Sequence, residues 1–125
     1  MLISVGLLGC RVGQSAEKYP PAKTPLGVEA TLVLIHQMFS AELLAVRDSE
    51  IVVLHGKQVT LVPYSAIRRG TFAHQSVTIT GQHPPTVASL ARLRLLSRFP
   101  QGISPELERR LLAAYGQDSI IVAAQ

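Results

Sequence analysis

The chain has 125 residues, 47% of them hydrophobic and 16% charged, with a formal net charge of +4. A single cysteine excludes an intramolecular disulfide, so any core must hold by packing alone. The absence of Trp and a 5% aromatic content argue against exposed-ring platforms for carbohydrate or single-stranded nucleic acid, while the modest positive charge suits anionic partners and ordinary solubility equally.

The chain opens on Met1-Leu2-Ile3-Ser4-Val5-Gly6-Leu7-Leu8-Gly9, apolar except for Ser4 and ending at the only cysteine, Cys10. This run is too short to span a bilayer, which takes about 20 apolar residues, but it fits the apolar region of a signal peptide. Leu7-Leu8-Gly9-Cys10 resembles the lipobox of bacterial lipoproteins, in which the cysteine is lipidated and everything before it is removed. Two features depart from that pattern: no Lys or Arg precedes the run, and Leu8 is bulkier than the usual small residue. A start codon further upstream would supply the missing basic segment. The competing reading is a buried strand with Cys10 as a core thiol, since free cysteine is among the most buried residue types. Residues 11–25 weigh against it, being polar and punctuated by Pro20, Pro21 and Pro25. Such a stretch favours an extended tether over a packed strand. The expected organisation is a signal-like segment at 1–9, a lipidated cysteine and tether at 10–27, and one domain at 28–125.

Strand signals follow. Ala30–Ile35 and Ser40–Val46 are apolar runs joined by a short turn, and Arg47-Asp48-Ser49-Glu50 connects tightly to Ile51–Leu54. His55-Gly56-Lys57-Gln58 predicts a hairpin turn into Val59–Val62, stopped by Pro63. Ile67–Phe72 and Ser76–Thr80 predict two more short strands around a break at Gly70. After the loop Gly81–Pro85, a helix runs to about Phe99, with Leu90, Leu93 and Leu96 on one side but Val87 and Leu95 off it. That broad stripe predicts a helix covered on more than one side. Ser104-Pro105-Glu106 is a strong helix start, and Gly116 a natural stop. Ser119–Ala124 predicts a last strand seeking a sheet edge.

The segment 31–70 resembles the Sm-like and SH3-like small barrels. Ala41-Glu42-Leu43-Leu44-Ala45-Val46-Arg47-Asp48 matches the bent second strand of the Sm pattern, and Val59–Ile67 matches its strand, turn and isoleucine. Alanine stands at position 41 where the family usually has glycine. The strand spacing favours a meander closed into a small barrel or sandwich, and the resemblance implies the barrel. With the two helix signals and the last strand, the expected fold is α+β: a small antiparallel β-barrel followed by a two-helix hairpin and a terminal strand. The resemblance also implies that Tyr64, Arg68 and Arg69 could lie where the family contacts RNA, which makes a cytoplasmic, ring-forming RNA-binding module the rival to an envelope lipoprotein.

No nucleophile elbow, phosphate-binding loop or dinucleotide fingerprint occurs. His36, His55, His74 and His83 lack metal-ligand spacing, and Asp48 and Glu50 fall in a polar turn. A small hydrolase or a metal-binding protein using the histidines is the third and weakest reading. No catalytic, cofactor or metal residue is therefore assigned. Arg92, Arg94, Arg98, Arg109 and Arg110 would form one basic surface if the helices pack as a hairpin; otherwise they are solvated faces whose stems cover apolar surface. The expected protein is a non-catalytic lipoprotein, anchored in a membrane of the cell envelope on its periplasmic side. Its expected partners are that membrane and an envelope protein, with lipidation at Cys10. Tyr64, Arg68, Arg69 and the five helical arginines are the candidate binding surface.

Overall fold

The computed structural model describes residues 27–73, 75–79, 83 and 85–123. The signal-like segment 1–9, Cys10, the tether up to residue 26 and His74 lie outside the described residues. The elements are β1 (Glu29–Val33), β2 (Met38–Val46), β3 (Glu50–His55), β4 (Gln58–Pro63), a 3-10 turn (Tyr64–Ala66), β5 (Arg69–Phe72), β6 (Gln75–Ile79), α1 (Val87–Leu96), α2 (Pro105–Ala114) and β7 (Ile121–Val122). The architecture is mixed α+β. The strands form one sheet in the order β6-β5-β1-β2-β3-β4-β7, all neighbours antiparallel except β4 and β7. This sheet is open, with β6 and β7 at its edges, rather than closed into a barrel.

Local chemistry accounts for the meander. Gly56 and Lys57 both take positive φ, 56° and 67°, and His55 pairs with Gln58. Two left-handed residues in a two-residue connection are what a hairpin matched to the strand twist requires, and glycine supplies the first without strain. Gly70 does not break β5 as expected: it lies within the strand, opposite Leu32, where a Cβ would come 3.1 Å from a Leu32 methyl. The reversal into β6 falls instead at Ala73, whose φ is 41°.

β2 carries the main irregularity. Its register to β3 slips between Leu43 and Ala45, leaving Leu44 as an extra residue. A bulge of this kind bends the strand and increases its twist. The bend therefore falls three residues beyond Ala41, which sits in regular pairing with Ala30. Because Leu44 and Ala45 both reach the outer face, the two sheet faces carry separate cores. The inner core gathers Leu32, Leu43, Ile51, Val53, Val62 and Phe72 with Leu90, Leu93 and Leu96 of α1. The outer core sets Leu44, Ala45, Val52 and Val59 against Phe99, Leu111 and Leu112 of the α2 side. The helices thus do not stack as a hairpin but clasp opposite faces of β2 and β3.

Thr86 and Ser104 cap the helices, each side-chain oxygen accepting an N–H from three residues on at 3.1 Å. Glu106 and Glu108 add negative charge to the first turn of α2. α1 is covered on one side only: Val87 is 84% and Leu95 68% exposed, contrary to the expectation from its broad stripe.

The far edge of β4 is closed by side chain and backbone together. The Gln117 amide accepts from Val59 N–H at 2.6 Å and donates to Val59 C=O at 3.1 Å. β7 continues the pairing, Thr60 opposite Ile121, and Ala123 N–H donates to Leu61 C=O at 2.9 Å. Gln117→Leu leaves both polar groups of buried Val59 without these partners, an expected loss of about 1–3 kcal/mol in urea unfolding. Faster exchange of the Ala123 amide in the same variant shows that β7 has loosened; an unchanged midpoint and exchange rate would contradict this role.

Candidate functional site

The candidate residues scatter into separate settings. Tyr64 is not part of a binding surface: it is 5% exposed, and its hydroxyl donates to Arg47 C=O at 2.7 Å. Its backbone N–H donates to Ser49 C=O at 3.1 Å, fixing the 3-10 turn against the β2–β3 connection. Burial raises the phenol well above its ordinary pKa, and Glu50 and Asp48 add to the rise while the Arg94 guanidinium opposes it. Pro63 directs the ring inward by ending β4 in extended geometry, φ −64° and ψ 143°.

Arg68 and Arg69 follow the turn and are exposed. The Arg68 N–H donates to Val33 C=O at 2.7 Å, and Arg69 pairs with Val33 in the ladder, so both sit beside the end of β1. No ion pair engages either side chain among the described residues.

The helical arginines divide by function. Arg94 reaches from α1 to the end of β2, with Nε 3.3 Å from Val46 C=O and a terminal nitrogen 3.2 Å from Asp48. Arg98 pairs with Glu42 at 3.6 Å and lies 5.8 Å from the centre of the Phe99 ring. These two staple the helix segment to β2. Arg92 is exposed on α1, and Arg109 and Arg110 are exposed on α2, where Arg110 lies 3.4 Å from Glu106 one turn back. With the helices on opposite faces of the sheet, the five do not form one basic surface.

Arg47, read in the sequence as part of the Sm-like stretch and of a connection, is a junction. Its guanidinium approaches Glu108 of α2 at 3.3 Å and Glu50 at 3.8 Å, while its carbonyl receives Tyr64. A basic residue in a tight turn carries no local signal of a partner 61 positions away. Glu50 is accordingly engaged, whereas the Asp48 side chain is 94% exposed despite its contact with Arg94.

His36 and His83 are exposed, and His55 is half-buried with its ring stacked 4.1 Å from that of Phe39 at 18°. Among the described residues no group of three or more His, Cys, Asp or Glu side chains could hold a metal. A shallow recess at the start of α2 is lined by Ser104, Glu106, Leu107 and Arg110, and its two charged groups face each other. No helix among the described residues is long and apolar enough to cross a membrane. No family model, curated protein or solved structure significantly matches this chain.

The buried phenol has a consequence at alkaline pH. A group whose folded pKa is raised contributes stability that is full below its unfolded value, about 10 for tyrosine, and declines as pH rises beyond it. Of the three tyrosines, one is expected to resist ionisation in an ultraviolet titration until the domain unfolds. Tyr64→Phe should cost about 1 kcal/mol at neutral pH and flatten the alkaline decline. Three tyrosines titrating together in the folded protein would exclude this.

Proposed function

We propose that this protein is a non-catalytic lipoprotein of the bacterial cell envelope, in which lipid on Cys10 holds a small α+β binding or scaffolding domain close to a membrane. One observation carries the reading: the only cysteine follows an uncharged apolar opening and precedes a polar stretch with three prolines, as Leu7-Leu8-Gly9-Cys10 and residues 11–25 read. The first strand begins at Glu29, so the tether reading leaves 18 residues, 10–27, between anchor and domain. At full extension that many residues reach about 60 Å. The domain would then act by presenting its surfaces at a membrane, and no chemical step is assigned to it.

The second reading, a cytoplasmic Sm-like ring binding RNA, draws support from the bent β2, the 3-10 turn leading into Ile67, and the exposed Arg68 and Arg69. The strand order β5-β1-β2-β3-β4 within the open sheet also suits a small barrel of that type. Against it stand the burial of Tyr64 and the covering of β4 and β5 by β7 and β6, which leaves neither strand a vacant edge for a neighbouring subunit.

The test is the intact mass of the protein recovered from the membrane fraction of a bacterium expressing it with its native upstream sequence. The lipoprotein reading expects loss of everything before Cys10, added acyl mass on that residue, and an unacylated product that keeps the segment before position 10 from Cys10→Ser. An unmodified wild-type chain in the soluble fraction would refute it. Salt-sensitive RNA binding by a ring-sized oligomer would then establish the rival.

A further inference from the structure

The outward side of α1 is chemically unlike that of α2. Five residues face away from the domain, Val87, Ala88, Ala91, Arg92 and Leu95, and all five are exposed. At 100° per residue they occupy one continuous arc opposite Leu90, Leu93 and Leu96. Positions 87 to 95 span about 12 Å of helix axis. A surface helix ordinarily turns charged and polar residues to water. Here a single arginine is the only polar group on that side.

α1 itself carries only positive charge, Arg92 and Arg94, and the carboxylate beside it, the exposed Asp48, is bound to Arg94. No Asp or Glu occurs from residue 51 to residue 105, a stretch that holds Lys57, Arg68, Arg69, Arg92, Arg94 and Arg98. Arg94 and Arg98 are answered by Asp48 and Glu42, but no ion pair engages Arg92 among the described residues. An occupant of this face must therefore offer apolar contact together with negative charge. A second copy packed symmetrically would bring two Arg92 side chains together with no carboxylate on α1 to separate them. A protein partner of ordinary affinity buries about 800 Å² a side around aromatic anchors. Val87 and Leu95 are the only large apolar side chains on this one, and it has no exposed ring.

We infer that this face of α1 rests on an anionic lipid surface, with Val87, Ala91 and Leu95 toward the acyl boundary and Arg92 among the headgroups. The inference deepens the lipoprotein reading and rests on it. A domain already held at a bilayer by Cys10 needs only a weak second contact, because the tether makes that contact intramolecular. A small apolar stripe with one cation is sized for such a role. It would fix which side of the domain meets the membrane and leave α2, on the opposite face of the sheet, turned away.

The full chain carrying Cys10→Ser and Ala91→Cys has its only thiol on α1 and no site for the anchor, so a polarity-sensitive dye there reports α1 independently of lipidation. At lipid concentrations raised until a weak, untethered contact is populated, vesicles containing phosphatidylglycerol should shift the dye emission to the blue, and pure phosphatidylcholine vesicles at the same concentration should not. Arg92→Glu should weaken the response at least about fivefold, as loss of one near-surface cation predicts, and Leu95→Glu should remove it. Both positions are exposed, so thermal unfolding of these variants should match that of their parent. A dye response unaltered by Leu95→Glu, or absent with phosphatidylglycerol, overturns the inference even if mass spectrometry of the wild type finds Cys10 acylated. A dimer in sedimentation that Leu95→Glu dissociates also overturns it, by assigning the face to a second copy. If the dye responds but Cys10 is unmodified, the α1 contact stands and the anchor reading fails.

Discussion

The domain depends on one passage of chain, where residues 97–99 carry the polypeptide from one face of the sheet to the other. Leu96 ends α1 in the inner core, and Phe99 enters the outer core. Between them Arg98 and Phe99 donate their N–H groups to Leu43 and Leu44 C=O at 3.0 and 2.8 Å, at the bulge of β2. β1 pairs with β2 only as far as Glu42, so the second half of β2 has a free side for this passage. Val28 binds the same junction, donating to Leu96 C=O and accepting from Leu43 N–H. Without the extra residue at Leu44, alternation along β2 would send it and Ala45 to opposite faces, and the outer core would lose one of them.

Seen from that passage, the charged groups are clamps. Arg94 and Arg98 flank it and bind both ends of the bent half of β2, through Val46, Asp48 and Glu42. Arg47 joins the following turn to α2, and Ser97, wholly buried, donates its hydroxyl to Arg94 C=O at 2.7 Å. Each such half-exposed pair contributes little alone. Their common effect is to fix the direction in which each helix leaves the sheet.

Most of the strand and helix content was legible in the sequence because it rests on local patterns. Alternating β-branched runs, the Gly56-Lys57 turn, Pro63 and the Ser104-Pro105 start each act within a few residues. The misjudged parts are those set by long-range packing. A hairpin of helices is the natural expectation for two helices joined by a short loop, but here the loop threads past β2 and each helix finds its own face. Tyr64 reads as a candidate contact residue at a strand end until the β2–β3 turn is known to offer Arg47 C=O above it. Val87 and Leu95 read as buried because apolar periodicity marks a face without saying what covers it. For the same reason the arginines could be listed from sequence but not sorted: pairing of Arg94 with Asp48 or Arg98 with Glu42 crosses about 50 residues.

The pairing of β4 with β7 also imposes an order in time. β4 is complete at Pro63, yet the groups that close its far side belong to residues 117–123. A chain emerging N-terminus first, from a ribosome or through a translocation pore, therefore presents β4 as a bare ladder while β5, β6 and both helices are still being delivered. During that interval any extended segment able to hydrogen-bond can occupy the position, including β4 of a neighbouring nascent chain. Gln117, four residues ahead of β7, is the first of these closing groups to be delivered.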